Sequence, residues 1–270
     1  MKKVIVFSAV FGLLIFSGCL DTVEEVSIKE NGSGTYVTTL DMGKLMSMAK
    51  TMGGDSKEMK ELENMKKDTL IRLKDLKDSL PNLSAAEKKI IEDGTLSVNI
   101  NMAEEKFGFT FSFPFLKLEE IDVITAVLGK TQDKIVGEAM KDKFGNSGDR
   151  GTDGLEMFGK GEKNGDESGL VGTELKRYYT KKYEKNKISN KVNKDKVAKM
   201  DEDKGLTTLK EMSQMGMSMN MKTIINLPRP AKKAEGKGIK LSDDKKKITL
   251  EGTLDDFFED ASYFEYEIEY

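Results

Sequence analysis

The residue pattern with the most distinctive chemistry in this chain is Met215-Gly216-Met217-Ser218-Met219-Asn220-Met221. In an extended strand, period-two spacing places the thioethers of Met215, Met217, Met219 and Met221 on one face. Soft sulfur ligands suit Cu(I), so one reading of this strand is a carrier of a small ligand or a soft metal. The competing reading is a core face, since methionine fills irregular gaps and thioethers without His or Cys make a weak site. The core reading is favoured, with Met42, Met46 and Met52 expected to pack against the strand, and no cofactor is expected.

Other constellations carry less. Ser47-Met48-Ala49-Lys50 and Ser242-Asp243-Asp244-Lys245 fit Ser-x-x-Lys, but the companion elements of that enzyme group are missing. Asp255, Asp256, Glu259 and Asp260 offer paired carboxylates of the kind that hydrolyse glycosides. In a chain that is 34% charged, such a run reads as a helix start and a solvated face. Asn146, Asp149, Asp153 and Glu156 are oxygen ligands without the alternating register of a calcium loop. There is no histidine, which removes Ser-His-Asp and Cys-His catalysis and nearly all zinc sites. No catalytic signature remains, and a non-enzymatic protein is expected.

The elements that would hold these residues follow from periodicity. Residues 23–40 read as a hairpin: Val26 and Ile28 alternate with polar positions, and Asn31-Gly32 supplies the turn. Residues 42–92 read as mostly helical, because Met59, Leu62, Leu73, Leu76 and Leu80 recur at three- and four-residue spacing. Pro81 interrupts that stripe, and Ser84 with Glu87 forms a capping box for a helix over 85–92. Leu96, Val98, Ile100 and Met102 alternate with polar residues. Phe107, Phe109, Phe111, Phe113 and Phe115 then occupy every second position, an apolar face that needs a covering layer such as the helices at 42–92 and 117–143.

Residues 144–172 hold nine of the chain's 25 glycines and read as a flexible loop or linker. Beyond it, strands are expected at 178–183, 187–192, 215–227, 239–241, 248–250 and 262–270, with a helical stretch at 194–213. The fold class is therefore α+β, an antiparallel sheet with helices packed on one face. Two halves, 23–143 and 173–270, repeat the order hairpin, helix, further strands, and are expected to share one sheet or core.

The N-terminus carries the expectation about compartment. Met1-Lys2-Lys3 precedes an apolar run from Val4 to Phe16, of signal-peptide length and short for a membrane-spanning helix. Extension to Leu20 reaches the bottom of the spanning range and leaves an uncleaved anchor helix or an ordinary secretory signal as alternatives. Small residues Ser17 and Gly18 then precede Cys19, the chain's one cysteine. Phe16-Ser17-Gly18-Cys19 resembles the lipobox of bacterial lipoproteins, with Phe where the family usually has Leu. The resemblance implies signal-peptidase recognition through Phe16, Ser17 and Gly18, removal of residues 1–18, and acyl chains on Cys19 that anchor the chain stably. Residues 19–22 are expected to form a short lipidated tether.

A single cysteine leaves no intramolecular disulfide. Loss of Lys2 and Lys3 takes the basic residues from 44 to 42 against 47 acidic ones, a formal charge of −5. That balance offers no basic face for nucleic acid.

Val26–Leu40, Ile224-Ile225-Asn226-Leu227-Pro228 and Lys240–Gly252 are turn-and-strand segments that resemble uncharacterised lipoproteins of Bacteroidota and the LppM-type lipoprotein domain. What the resemblance implies is an envelope lipoprotein, a binding or assembly module held to the membrane by its acyl chains, with an envelope protein as its partner. Leu20 after the cysteine, rather than Asp, favours the outer membrane by the same resemblance. Asp21, Glu24 and Glu25 resemble acidic surface-export signals, and the sequence leaves periplasmic and surface orientation open.

Overall fold

A computed structural model of the chain describes residues 20–47, 66–80, 82–144, 175–214 and 216–270. Twelve strands among these residues form two sheets, so the α+β expectation holds.

The first hairpin pairs β1 (Leu20–Ile28) with β2 (Gly34–Asp41) antiparallel, from Asp21 opposite Asp41 to Ile28 opposite Gly34. Gly32 turns the chain with φ 83°, a left-handed conformation that glycine adopts without steric cost, and the Asn31 side chain accepts from Ser33 N–H at 3.1 Å. The strand starts earlier than expected. Residues 20–22, read as part of a tether, lie in the sheet: all three pair with Met219–Met221, and Asp21 and Thr22 pair also with Asp41 and Leu40 of β2. Satisfying those backbone groups in the sheet outweighs leaving them as a free leader.

Residues 42–92 depart from the helical expectation. A short helical stretch covers 43–47, and Met59 and Leu62 lie outside the described residues. Lys66–Arg72 is a strand, β3, paired along its length with β4 (Thr95–Asn101). Leu73 and Leu76 belong to a 3-10 turn, Leu73–Ser79, and Leu80 follows it in extended conformation, with Leu73 fully buried and Leu80 nearly so. Pairing with β4 overrides the helix propensity of a Lys-, Asp- and Leu-rich segment. The capping box is present: Ser84 Oγ accepts from Glu87 N–H and the Glu87 carboxylate from Ser84 N–H, opening α1 (Ala85–Asp93).

Strand β5 (Lys106–Phe115) carries the five phenylalanines inward, each no more than 2% exposed. Burial of each contributes about 2–3 kcal/mol of transfer free energy. The covering layer is α1 with α2 (Glu120–Phe144), both packed on β5. Glu87 ties the two helices together through Lys130 at 2.7 Å.

The two halves are not built alike. Strands β1–β5 all enter an eight-stranded sheet, ordered β10-β11-β8-β1-β2-β5-β4-β3. From the C-terminal part, β8 (Met219–Asn226), β10 (Ile239–Leu241) and β11 (Lys247–Thr253) extend that sheet beside β1. Pairing of β1 with β8 is parallel, unlike the other pairs among the described residues. The remaining strands, β6 (Tyr179–Glu184), β7 (Lys187–Val192), β9 (Lys233–Glu235) and β12 (Tyr266–Glu269), form a second sheet ordered β6-β7-β12-β9.

The helical stretch expected at 194–213 is divided into α3 (Lys194–Val197), a 3-10 turn at Met200–Glu202 and α4 (Lys204–Gln214). Helix α5 (Leu254–Glu259) packs on β8 and β11, where Thr253 and Asp256 form its capping box. The closing segment begins as a 3-10 turn, Ala261–Phe264, and only then becomes β12. Of the described helices, none is long and apolar enough to cross a membrane.

Candidate functional site

The inward face of the large sheet is apolar under α1 and α2 and polar at its middle. Strand alternation puts Thr22, Glu24, Val26 and Ile28 of β1 on that face, in register with Met221, Thr223, Ile225 and, past the strand end, Leu227. On β2 the same face carries Tyr36 and Thr38, opposite Val26 and Glu24. Glu24 is thus an acidic residue at a core position, 4% exposed.

A buried carboxylate needs partners. They come from the second sheet and the turn that leads into it. The 3-10 turn Leu175–Tyr178 delivers Lys176, whose Nζ lies 3.0 Å from Glu24 Oε2 and donates to the Tyr36 hydroxyl at 3.2 Å. Strand β6 aims Lys181 and Tyr183 the same way: Lys181 Nζ donates to Glu24 Oε1, and the Tyr183 hydroxyl stands 3.5 Å from that oxygen. The Lys176 and Lys181 side chains are 32% and 20% exposed, so the cluster touches solvent on one side.

Burial by itself would raise the Glu24 carboxyl pKa, but the charges and hydrogen bonds of Lys176 and Lys181 override it and hold the group well below the usual carboxylate range. Burial pulls both lysines down. For Lys176 the Glu24 charge and the Tyr36 contact win and the amine is raised above its ordinary value, whereas Lys181, which also faces the charge of Lys176, is lowered. Desolvation, reinforced by the Glu24 charge, raises the Tyr36, Tyr183 and Tyr266 hydroxyls, keeping them neutral.

A cavity of about 80 Å³ opens beside this cluster. Its polar wall includes Thr22, Glu24, Lys176, Lys181 and Asn190, together with Thr223 and Lys222, whose amine is paired with Glu251 at 2.6 Å; Leu175, Met221, Leu250 and Phe264 supply its apolar wall. Asn190 is 3% exposed and spends its amide N–H on the Phe264 carbonyl at 2.7 Å, while its Oδ1 has no hydrogen-bond partner. The buried Thr22 Oγ1 and Tyr266 hydroxyl also lack protein partners. Two amines converge on one carboxylate, leaving one positive charge in excess beside unfilled hydrogen-bonding atoms.

The residues singled out from sequence are mostly elsewhere. Cys19, Phe16, Ser17 and Gly18 lie outside the described residues, as do Met215, Met52, Lys50 and the group Asn146, Asp149, Asp153 and Glu156. Met219 is 2% exposed at the sheet end beside Leu20, Met217 packs partly buried on the core, and Met221 forms part of the cavity wall. Met42 is buried and Met46 partly so. Asp256 caps α5, Asp255 accepts from Ser213, and Asp260 pairs with Lys237. Ser242 donates to Asp244 rather than to Lys245, which sits in a turn at φ 56°.

Glu24, Lys176 and Lys181 were not singled out for this role. The readable signal was parity: Glu24 shares the inward phase of Val26 and Ile28, and Lys181 that of Tyr179 and Tyr183. Comparison with family models, with curated proteins and with solved structures finds no match for this chain.

Proposed function

We propose that this protein is a membrane-anchored envelope lipoprotein that acts as a non-enzymatic binding module. The binding half of this reading is carried by the cavity beside Glu24, Lys176 and Lys181, where buried polar atoms without partners meet an apolar wall. Ligand sites combine an apolar lining with a few convergent polar groups in this way. The anchoring half is supported by Phe16-Ser17-Gly18-Cys19 after a basic, then apolar, leader. Leu20 after the cysteine favours the outer membrane, with an envelope protein as further partner.

The soft-metal reading gains nothing from the fold. Met219 is closed off in the core and Met221 faces the ion cluster, so the described thioethers do not line a common open groove. Membrane fractionation of wild type and Cys19→Ala in a Gram-negative host tests the anchor. Wild type is expected in the outer-membrane fraction and the variant, which keeps its apolar leader, in the inner-membrane fraction; equal partition of the two overturns it.

A further inference from the structure

The cavity's chemistry narrows its occupant, an inference that rests on the binding-module reading above. Lys176 and Lys181 place two amines against the single Glu24 carboxylate, with Tyr36 and Tyr183 contributing neutral hydroxyls. One small anion entering the void would balance the cluster, and it would meet amine donors whose remaining N–H groups are not spent on Glu24. Asn190 Oδ1 is an acceptor without a donor, and Thr22 Oγ1 is a hydroxyl without a partner. Those two atoms ask for a ligand that also carries an O–H of its own.

Size sets the third constraint. A void of about 80 Å³ is roughly half the 150 Å³ cavity that accepts benzene. Met221, Leu250 and Phe264 leave an apolar side suited to a CH₂ or CH₃ group. A phosphate would present polar oxygens to that side, at the cost of stripping their water.

We propose that the cavity between Glu24, Lys176, Lys181, Thr22 and Asn190 binds a two-carbon to three-carbon hydroxy acid, its carboxylate on Lys181 and Lys176 and its hydroxyl between Thr22 and Asn190. The carboxylate shares the lysines with Glu24, and the carbon next to it rests on Met221 and Phe264.

Calorimetric titration of the purified full chain in detergent tests this, with sodium glycolate, sodium acetate, glycolamide and inorganic phosphate as probes. Glycolate is expected to bind about tenfold more tightly than acetate, one good hydrogen bond's difference. Glycolamide, which lacks the charge, and phosphate should give no saturable heat. Thr22→Val, which keeps the side-chain shape, should bring glycolate to the acetate affinity. Lys181→Met should weaken both acids about tenfold or more. No saturable binding of glycolate to the cooperatively folded wild-type chain overturns the inference. So does equal affinity for glycolate and acetate, or for glycolate and phosphate. Because wild-type selectivity decides the matter, misfolding of a variant does not shelter the proposal. The titration does not read anchoring, so its failure and a failure of the lipid anchor are separate results.

Discussion

Lys176 Nζ stands 3.0 Å from Glu24 Oε2, linking the turn that opens the second sheet to the fifth residue of β1 in the first. Lys181 reaches the other carboxylate oxygen from β6, so a single inward glutamate joins the two sheets. Nothing else on the inner face of β1 carries charge: its neighbours of the same parity are Leu20, Thr22, Val26 and Ile28.

Removing that carboxylate should be costly. Glu24→Gln leaves two part-buried amines without their counter-charge. A loss of one partner from a fully buried pair costs about 3–5 kcal/mol, and the solvent contact of both lysines reduces this to about 2 kcal/mol. Urea denaturation should show the midpoint falling with an unchanged slope. An unshifted midpoint would mean that the cluster does not hold the sheets together.

Glu87 gives a cleaner acid dependence. Its hydrogen bond from Lys130, with the bonds to Ser84, takes the carboxyl from 4.5 down to about 2. A carboxyl depressed in the folded state contributes stability that is present above its unfolded value and lost as pH falls through the folded one. Stability should therefore drop between pH 4.5 and about 2, and Glu87→Gln should flatten that part of the wild-type curve. Parallel acid limbs in the two proteins would contradict the Ser84–Glu87–Lys130 geometry.

The phenylalanine face makes a third prediction. Phe111→Ala, at a site with 0% exposure, should cost about 3–5 kcal/mol by thermal or chemical denaturation. Leu70→Ser, on the edge strand at 69% exposure, should change stability by less than about 0.5 kcal/mol. Similar costs at the two sites would mean that the inward face of β5 is misassigned.

Met219 separates packing from metal chemistry. Met219→Leu preserves volume, so it should cost less than about 1.5 kcal/mol. It should also leave Cu(I) uptake of the purified chain at the wild-type level. Loss of stoichiometric uptake in that variant would revive the thioether reading.

Much of this architecture was legible because period two is a strong signal. The alternation at 96–102 and the five phenylalanines at 107–115 mark β4 and β5 almost to the residue, and Asn31-Gly32 marks the first turn. Strand β3 was not legible, because Lys66–Arg72 acquires its conformation by pairing along β4 rather than from its own residues. The division of the second half between two sheets was likewise hidden, since pairing partners such as β1 with β8 lie 199 residues apart at Leu20 and Met219. The site was missed for a related reason. Glu24 reads as one more charge in a charged chain until its inward parity is weighed, and Lys176 comes to it across about 150 residues of sequence by a fold-level closure that no local pattern encodes.

Intact mass of the purified wild-type chain and of Cys19→Ala tests the central claim most directly. The account predicts a wild-type mass lacking residues 1–18 and raised by acyl chains, with neither change in the variant. A wild-type chain that keeps its leader, or that is cut without gaining acyl mass, would contradict it.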